Sequence, residues 1–257
     1  MSLGLSTFQM NSPLGKRILA MVRESDYAHP GEEEAIRMTL ESLVEKSRRR
    51  WLDAGCGRGG TADFIMRQGW ADVSAFDIDA VTLEESRKVF STIPFYTCGV
   101  VESPSVIHEK FNLIYSMNAV YAFPDLAKSL QALRALAEDS AKLVIFDYVD
   151  RGGFYDSPFT RLPEVAHWHP LEESSLADKM ADAGWHLGKM QNLDAEYERW
   201  YAVLVARFDA RRALLTEIAS SEIIDYARNI YAQLLQTVRA GQLGGGIYVA
   251  SATDANT

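Results

Sequence analysis

From residue 50 onward, the chain alternates short, β-rich apolar runs with longer segments that have helical periodicity. The apolar runs are RWLDA, DVSAFD, PFYTCGV, FNLIYS and KLVIFDY, and segments such as TADFIMRQG and LAKSLQALRALAED separate them. Strands that alternate with helices predict a parallel sheet with helices on both faces. This alternation is the strongest constraint that the sequence places on the fold.

Further elements are predicted on either side of this repeat. Helices are expected over 14–23 and 32–46 before it and over 171–184 after it, followed by strands in WHLGKMQNL and GGGIYVASA. A helical block over 195–241 is much longer than a usual connection. Because long insertions often carry function, this block is a candidate cap over a binding site.

Composition restricts the class of function. The 257 residues are 47% hydrophobic, and the formal charge of −9 argues against a basic face that binds nucleic acid. No stretch approaches the roughly 18 apolar residues of a membrane span, and the first 30 residues lack the pattern of a signal peptide. Cys56 and Cys98 have no metal-ligand spacing. We therefore expect a cytoplasmic monomer or homodimer that binds no metal, no membrane and no nucleic acid, and acts on a small molecule.

A glycine-rich stretch follows the first predicted strand. Gly55, Gly57 and Gly60 have the spacing GxGxxG, and Asp77 lies 20 residues after Gly57. This pattern suits a dinucleotide, whose pyrophosphate lies at the N-terminus of the following helix. Asp53 would crowd a pyrophosphate but could bind a cationic amine, such as the amino end of S-adenosylmethionine. The sulfonium cofactor is therefore favoured, and a nicotinamide-dependent oxidoreductase is the alternative.

The run LDAGCGRG at 52–59 resembles the first motif of class I S-adenosylmethionine-dependent methyltransferases. The resemblance continues through FDID at 76–79 and FNLIYSMNAVYAF at 111–123. Within this superfamily the chain is most similar in appearance to the phosphoethanolamine and sarcosine/dimethylglycine small-molecule methyltransferases, through SDYAHPGEEEAI, IFDY and the late helical insertion. The resemblance implies an α/β, Rossmann-like sheet of seven strands, six parallel and one antiparallel, with helices on both faces and a helical cap. The antiparallel seventh strand is expected between the fifth and sixth.

The same resemblance implies a single methyltransferase domain over 1–257. Its expected parts are N-terminal cap helices over 1–47, a cofactor-binding core over 48–193, a helical insertion over 194–242 that caps the acceptor side, and a last strand over 243–252.

By this resemblance, a set of residues is expected to bind S-adenosylmethionine. Asp53, Gly55 and Gly57 would hold the methionine end, and Asp77 would bind the ribose hydroxyls. Tyr27 would close the site. The remaining contacts are expected from Ile78 on an adenine face, from Val101 and Glu102 after the third strand, and from the backbone of Ser116 near the sulfonium.

Candidate catalytic residues follow the fourth and fifth strands. Asn118 and Tyr148 lie at the carboxyl edge of the sheet, where ligands of open α/β folds bind. His167 and His169 flank Trp168, so they could serve as a base or substrate donor, or they could lie in a surface loop around a packed tryptophan. Methyl transfer needs an in-line nucleophile about 3 Å from the methyl group, and holding this geometry can supply on the order of 7 kcal/mol. A dedicated base is therefore optional.

Aromatic residues of the late insertion fall on one helical face. With Trp200, they could form a lid suited to an organic cation, or they could simply pack in the core. The stripe consists of Tyr197, Tyr201, Leu204 and Phe208.

Two positions depart from the phosphobase methyltransferases, which carry an acid in place of Asn118 and a histidine in place of Ala122. We therefore expect that phosphoethanolamine is not the substrate. The sequence predicts methyl transfer to the nitrogen or oxygen atom of a small organic acceptor by in-line displacement. A cofactor-binding protein that has lost catalysis is an alternative.

Overall fold

The fold is described from a computed structural model over residues 8–45 and 50–253. The strands within these residues form one seven-stranded sheet. They are β1 (Arg50–Ala54), β2 (Asp72–Asp77), β3 (Phe95–Thr97), β4 (Phe111–Met117), β5 (Ala137–Asp150), β6 (Trp185–Asn192) and β7 (Leu243–Ala252).

Ten α-helices lie within the same described residues. They are α1 (Pro13–Arg23), α2 (Glu32–Leu40), α3 (Gly60–Arg67), α4 (Ala80–Val89), α5 (Ser103–Val106), α6 (Leu126–Leu136), α7 (Glu173–Asp182), α8 (Asp194–Ala210), α9 (Arg212–Leu215) and α10 (Ser221–Arg239). Side chains cap several of their N-termini: Asp79 accepts from two amides of α4, and Asp125 accepts from the Lys128 amide of α6. No described helix combines the length and apolar character needed to cross a bilayer.

The strand order is β3-β2-β1-β4-β5-β7-β6. Neighbouring strands from β3 to β5 are parallel, whereas β7 is antiparallel to both β5 and β6. The predicted sheet of six parallel strands and one antiparallel strand is therefore confirmed, including the position of the last strand between the fifth and the sixth.

Apolar side chains fill a core on each face of the sheet. On β1, Trp51 packs in one core and Leu52 in the other, because successive side chains of a strand point to opposite faces. The first core contains residues of α1 to α4, α8 and α10, and the second contains residues of α6 and α7. Every residue of β4 is buried, as expected for a strand covered on both faces.

Glycines of β7 allow α8 to lie directly against the sheet. A Cβ at Gly245 would overlap the ring of Tyr197, and a Cβ at Gly244 would overlap the carboxylate of Asp194. The amide of Gly245 donates to Asp194 Oδ1 at 3.1 Å, and its carbonyl accepts from the amide of Leu193 at 2.9 Å. The beginning of α8 is therefore bound to the backbone of β7.

The second predicted helix is shorter than expected. It ends at Leu40 and continues as one 3-10 turn over Glu41–Leu43, after which the backbone becomes extended at the β-branched Val44. The remainder of the predicted helix, at Lys46, lies outside the described residues, as does the expected boundary near residue 47.

Candidate cofactor and acceptor site

The glycine loop joins β1 to α3 at the carboxyl edge of the sheet. Gly55 has φ +81°, and a Cβ there would lie 2.5 Å from the Cβ of Ala119. Its amide donates to the carbonyl of Phe76 at 3.0 Å, and the amide of Gly57 donates to Asp77 Oδ2 at 2.8 Å. The loop is thus bound to the end of β2. Asp77 supplies the carboxylate that the amide of Gly57 binds.

Asp53 is a buried carboxyl group near the end of β1, with 1% of its surface exposed. Its Oδ2 accepts a hydrogen bond from the hydroxyl of Tyr115 at 3.0 Å. Burial raises the pKa of Asp53 to about 8, and the nearby charge of Asp77 acts in the same direction. A cation bound beside this carboxyl group would favour its ionised form, which is the property that the amino end of S-adenosylmethionine requires.

The expected adenine and ribose residues lie together beyond β2 and β3. Asp77 ends β2, and its Oδ1 accepts from the amide of Asp79 at 2.9 Å. Ile78 is 77% exposed. A Cβ at Gly99 would lie 2.5 Å from Glu102 Oε2 and 3.8 Å from Ile78 Cδ1, so these two side chains face a common space. The exposed Val101 precedes Glu102 in the same turn.

Residues 24–31, between α1 and α2, form a segment that we call the strap. Asp26 accepts a hydrogen bond from Arg58 Nε at 2.5 Å, which ties the strap to the glycine loop. A Cβ at Gly60 would lie 2.7 Å from the carbonyl carbon of Asp26, and a Cβ at Gly57 would lie 3.3 Å from the Cβ of Ala28. The strap therefore lies against the first residue of α3.

Tyr27 is a buried residue of the strap. Its hydroxyl donates to Glu33 Oε1 at 3.1 Å, and its ring packs edge-on against Phe64 of α3. Burial, together with the charge of Glu33, raises the pKa of Tyr27 to about 12, so the phenol stays neutral at physiological pH.

The strap and the start of α2 also contact α8. The ring of Trp200 lies against Gly31, where a Cβ would come within 2.5 Å of it. Glu34 accepts from Arg199 Nη2 at 2.5 Å and from Trp200 Nε1 at 3.0 Å. Glu24 forms an ion pair with Arg211, beyond the end of α8. A single segment thus joins the glycine loop to α8.

Ser116 and Asn118 lie at the carboxyl end of β4. Ser116 is fully buried and donates its hydroxyl to the carbonyl of Ala54 at 2.9 Å, so its side chain is bound within the sheet. Asn118 has φ +59°, and its amide donates to the carbonyl of Phe146 at 2.7 Å. Its side-chain oxygen accepts from the hydroxyl of Tyr197 at 2.6 Å. Asn118 therefore lies between the sheet and α8.

Three aromatic rings pack together next to Asn118, and we call Tyr121, Tyr148 and Trp168 the aromatic wall. Ring centroids are 5.1 Å apart for Tyr121 and Tyr148, 4.4 Å for Tyr121 and Trp168, and 4.8 Å for Tyr148 and Trp168. The hydroxyl of the buried Tyr148 is hydrogen-bonded to that of Tyr201. Tyr148 is 4% exposed, so it has no free hydroxyl to offer and contributes to the wall by packing.

The two histidines around Trp168 have exposed side chains, whereas Trp168 itself is half-buried. The backbone amide of His169 donates to the carbonyl of Tyr121 at 2.7 Å, which holds this loop against the turn after β4. The structure thus brings Trp168 onto the wall and leaves the imidazoles of His167 and His169 at its rim.

The aromatic stripe of α8 is buried along its whole length, as packing in the core requires. Tyr197, the first residue of the stripe, also reaches the site. Its hydroxyl binds Asn118, and its ring centroid lies 5.4 Å from that of Phe146.

Sequence reasoning did not identify Asp147 as a site residue. Its side chain is fully buried at the carboxyl end of β5, and it accepts hydrogen bonds from the backbone amides of Val120 and Tyr148, both at 2.7 Å. The available signal was an acidic residue inside the otherwise apolar run KLVIFDY, because a charged side chain is rarely buried unless it is paired.

The chain is similar to known methyltransferases. A protein-family profile described as a methyltransferase domain matches residues 27–188. A curated relative from Bacillus subtilis (strain 168), described as the uncharacterized methyltransferase YodH, is 28% identical over 162 residues, which cover 57% of this chain and 67% of that protein.

Two similar solved structures are of the two methyltransferase types that the sequence resembles. One, provisionally assigned as a sarcosine dimethylglycine methyltransferase from Galdieria sulphuraria, has a TM-score of 0.77 at 17% identity and covers 86% of this chain and 85% of that one. The other is the Haemonchus contortus phosphoethanolamine N-methyltransferase 2 in complex with phosphomonomethylethanolamine and S-adenosylhomocysteine, with a TM-score of 0.81 at 16% identity. It covers 93% of this chain but 57% of the Haemonchus chain.

At these identities the structural similarity establishes the fold, and the family profile, which matches more than half of the chain, establishes the family. The chain belongs to the methyltransferase domain family.

Proposed function

We propose that the chain transfers a methyl group to the nitrogen or oxygen atom of a small organic acceptor by in-line displacement. S-adenosylmethionine is the methyl donor, as in the methyltransferases that the chain resembles. In this proposal Asp53, Gly55 and Gly57 hold its methionine end and Asp77 its ribose. The other proposed contacts are Ile78, Val101 and Glu102 around the adenine, the backbone of Ser116 near the sulfonium, and Tyr27 as the residue that closes the site.

The position of the strap is the observation that carries the choice of cofactor. In dinucleotide-binding folds the pyrophosphate lies at the N-terminus of the helix after the glycine loop. Here the backbone of Asp26 lies against Gly60, the first residue of that helix, and the ion pair with Arg58 fixes it there. Protein therefore fills the space of a pyrophosphate, while the buried carboxyl of Asp53 suits a cationic amino group. Both features disfavour a nicotinamide-dependent oxidoreductase.

The acceptor is proposed to bind between Asn118 and the aromatic wall. S-adenosylmethionine supplies an electrophilic methyl group at this edge of the sheet. The partly exposed rings of Tyr121 and Trp168 are proposed to contact the acceptor, because aromatic rings bind flat apolar molecules or organic cations. Asn118 is held from two sides, by Phe146 and Tyr197, so it can fix the orientation of the acceptor. His167 and His169, exposed at the rim, are proposed to take up a proton that the acceptor releases.

A cofactor-binding protein without catalysis is the second candidate. By the resemblance to phosphobase methyltransferases, a histidine is expected at position 122, and this chain has an exposed alanine there. The hydrogen bonds that hold Asn118 beside the aromatic wall favour an active enzyme, since cofactor binding alone does not need them.

Calorimetry with the purified chain tests the cofactor, and methyl labelling tests the reaction. We expect heat of binding with S-adenosylhomocysteine and none with NADH; the reverse result would refute the proposal. S-adenosylmethionine labelled in its methyl group is then incubated with small amines, phenols and carboxylates, with phosphoethanolamine as the compound expected to remain unlabelled. Binding of S-adenosylhomocysteine without transfer to any of these compounds, or to the small molecules of a cell extract, would favour the inactive alternative.

A further inference from the structure

Asp147 binds three backbone amides with one carboxylate. Its Oδ2 accepts from the amide of Val120 at 2.7 Å and from that of Tyr121 at 3.3 Å, and its Oδ1 accepts from the amide of Tyr148 at 2.7 Å. Two of these donors belong to the turn after β4, and the third belongs to β5. The side chain is fully buried, so water does not compete for these bonds.

The turn that Asp147 holds carries two residues of the proposed acceptor site, Asn118 and Tyr121. Asn118 adopts φ +59°, a left-handed conformation that asparagine tolerates better than most residues other than glycine. Its amide is bound by the carbonyl of Phe146, the residue before Asp147. The end of β5 therefore binds this turn at consecutive positions.

The ionisation state of a carboxyl group decides whether it can bind three donors. An ionised carboxylate is an acceptor at both oxygens, whereas the neutral acid carries an O–H donor on one of them. Protonation of Asp147 would place that donor against a backbone N–H group. We infer that Asp147 is a positioning residue for methyl transfer, whose ionised carboxylate holds Asn118 and Tyr121 in place beside the acceptor. This inference rests on the proposed function.

The pKa of Asp147 lies near neutral pH. Burial raises its pKa to about 7, although hydrogen bonds from the backbone amides, that of Tyr148 foremost, act to lower it. Two phenols interact electrostatically with it, those of Tyr121 from the turn and Tyr197 from α8. Burial raises the pKa of each phenol well above its ordinary value, so both remain neutral while Asp147 titrates.

The first test uses the full-length protein and needs no substrate. NMR spectra of the wild-type chain are recorded from about pH 5.5 to 8.5, with the aspartate carboxyl carbons and the backbone amides labelled. We expect the Asp147 carboxyl carbon and the Val120 and Tyr121 amides to follow one titration, which the Asp147→Asn variant lacks. An Asp147 carboxyl carbon that keeps the chemical shift of the neutral acid across this range, or amide resonances that titrate unchanged in the variant, would overturn the inference.

The second test measures methyl transfer. Asp147→Asn is expected to lower kcat by about 10- to 100-fold, because a small displacement of a positioning group has effects of this size. It should also remove the fall in kcat at acidic pH and change the Kd of S-adenosylhomocysteine by less than about threefold.

The matched control is Asp150→Asn. Asp150 lies at the end of the same strand and binds the amide of Gly152 at 2.8 Å, away from the turn, so this variant is expected to keep the wild-type kcat. An unchanged kcat in Asp147→Asn, with normal binding of S-adenosylhomocysteine, would overturn this inference and leave the proposed function in place. Failure of the wild-type chain to bind S-adenosylhomocysteine would instead refute the proposed function. If Asp147→Asn does not fold, the wild-type titration remains decisive.

Discussion

The hydroxyl of Tyr197 donates a hydrogen bond of 2.6 Å to the side-chain oxygen of Asn118, which lies 79 residues earlier in the chain. This contact joins α8 to the turn after β4. Because the oxygen of Asn118 is bound in this way, its NH2 group is the part of the amide that can be directed towards a ligand.

Removal of this hydrogen bond should affect the reaction more than the fold. Tyr197→Phe keeps the packed ring and loses the hydroxyl, so we expect the free energy of unfolding to fall by about 1 kcal/mol. We expect kcat to fall by about tenfold, because Asn118 is no longer oriented. Steady-state kinetics and urea denaturation measure the two effects.

Tyr226→Phe is the control for this substitution. The hydroxyl of Tyr226 binds both oxygens of Glu164, at 2.7 and 2.8 Å, and takes no part in the proposed site. A similar loss of kcat in both variants would mean that the contact with Asn118 has no special role.

Cofactor binding should release protons from Asp53. In the free protein burial holds the pKa of Asp53 at about 8, so the group is largely protonated at pH 7. The amino end of the cofactor favours the ionised carboxylate. Binding therefore lowers this pKa, and affinity for S-adenosylhomocysteine should rise with pH until about pH 8. Calorimetry in two buffers of different ionisation enthalpy measures the proton release, which should be absent in Asp53→Asn.

The same pKa predicts how the stability of the free protein varies with pH. The folded-state pKa of Asp53 lies above the ordinary aspartate value, so the unfolded chain ionises first as the pH rises. The contribution of Asp53 to stability should therefore decrease from about pH 4 to pH 8. Denaturation of wild type and Asp53→Asn across this range would show it, and a difference between them that does not vary with pH would contradict the assignment.

Packing of α8 on β7 should not tolerate a side chain at Gly245. A Cβ there overlaps the ring of Tyr197, so Gly245→Ala is expected to lose about 1–3 kcal/mol of stability through overpacking. Gly188→Ala on β6 is the control, since its Cβ would meet the carbonyl oxygen of Val249 at an ordinary 3.7 Å. Urea midpoints measure both variants, and equal effects would argue against tight packing at Gly245.

Alanine at Gly55 should weaken cofactor binding. The substitution combines a left-handed backbone with a contact of 2.5 Å to the Cβ of Ala119, so the loop must move. We expect an affinity for S-adenosylhomocysteine at least about tenfold lower.

Gly241→Ala is the control for this substitution. Gly241 has a similar φ of +67°, but a Cβ there would meet no described atom within 4 Å. It should show backbone strain of about 1 kcal/mol and unchanged affinity, and a matching loss of affinity there would refute the steric argument.

The sheet could be predicted because strand and helix periodicity alternate regularly, and the motif at Asp53, Gly55 and Asp77 predicts a cofactor site at its carboxyl edge. Contacts between distant segments could not be predicted. The approach of Asp26 to Gly60 depends on how a segment folds back across the loop, and no local pattern encodes it.

The acceptor side was harder to predict from sequence for a related reason. The sequence leaves two interpretations open for the loop around Trp168, and the one with a packed tryptophan agrees with the structure, since burial favours the larger apolar surface. Asp147 was not identified as a site residue because its partners are backbone amides, which have no signature in the sequence.

The strap links two parts of the molecule that lie far apart in the chain. It touches Arg58 beside the glycine loop and Trp200 on α8, so a change in its conformation would alter both contacts. Because coupling between two sites is reciprocal, ligands of the proposed cofactor and acceptor sites should change each other's affinity by the same factor.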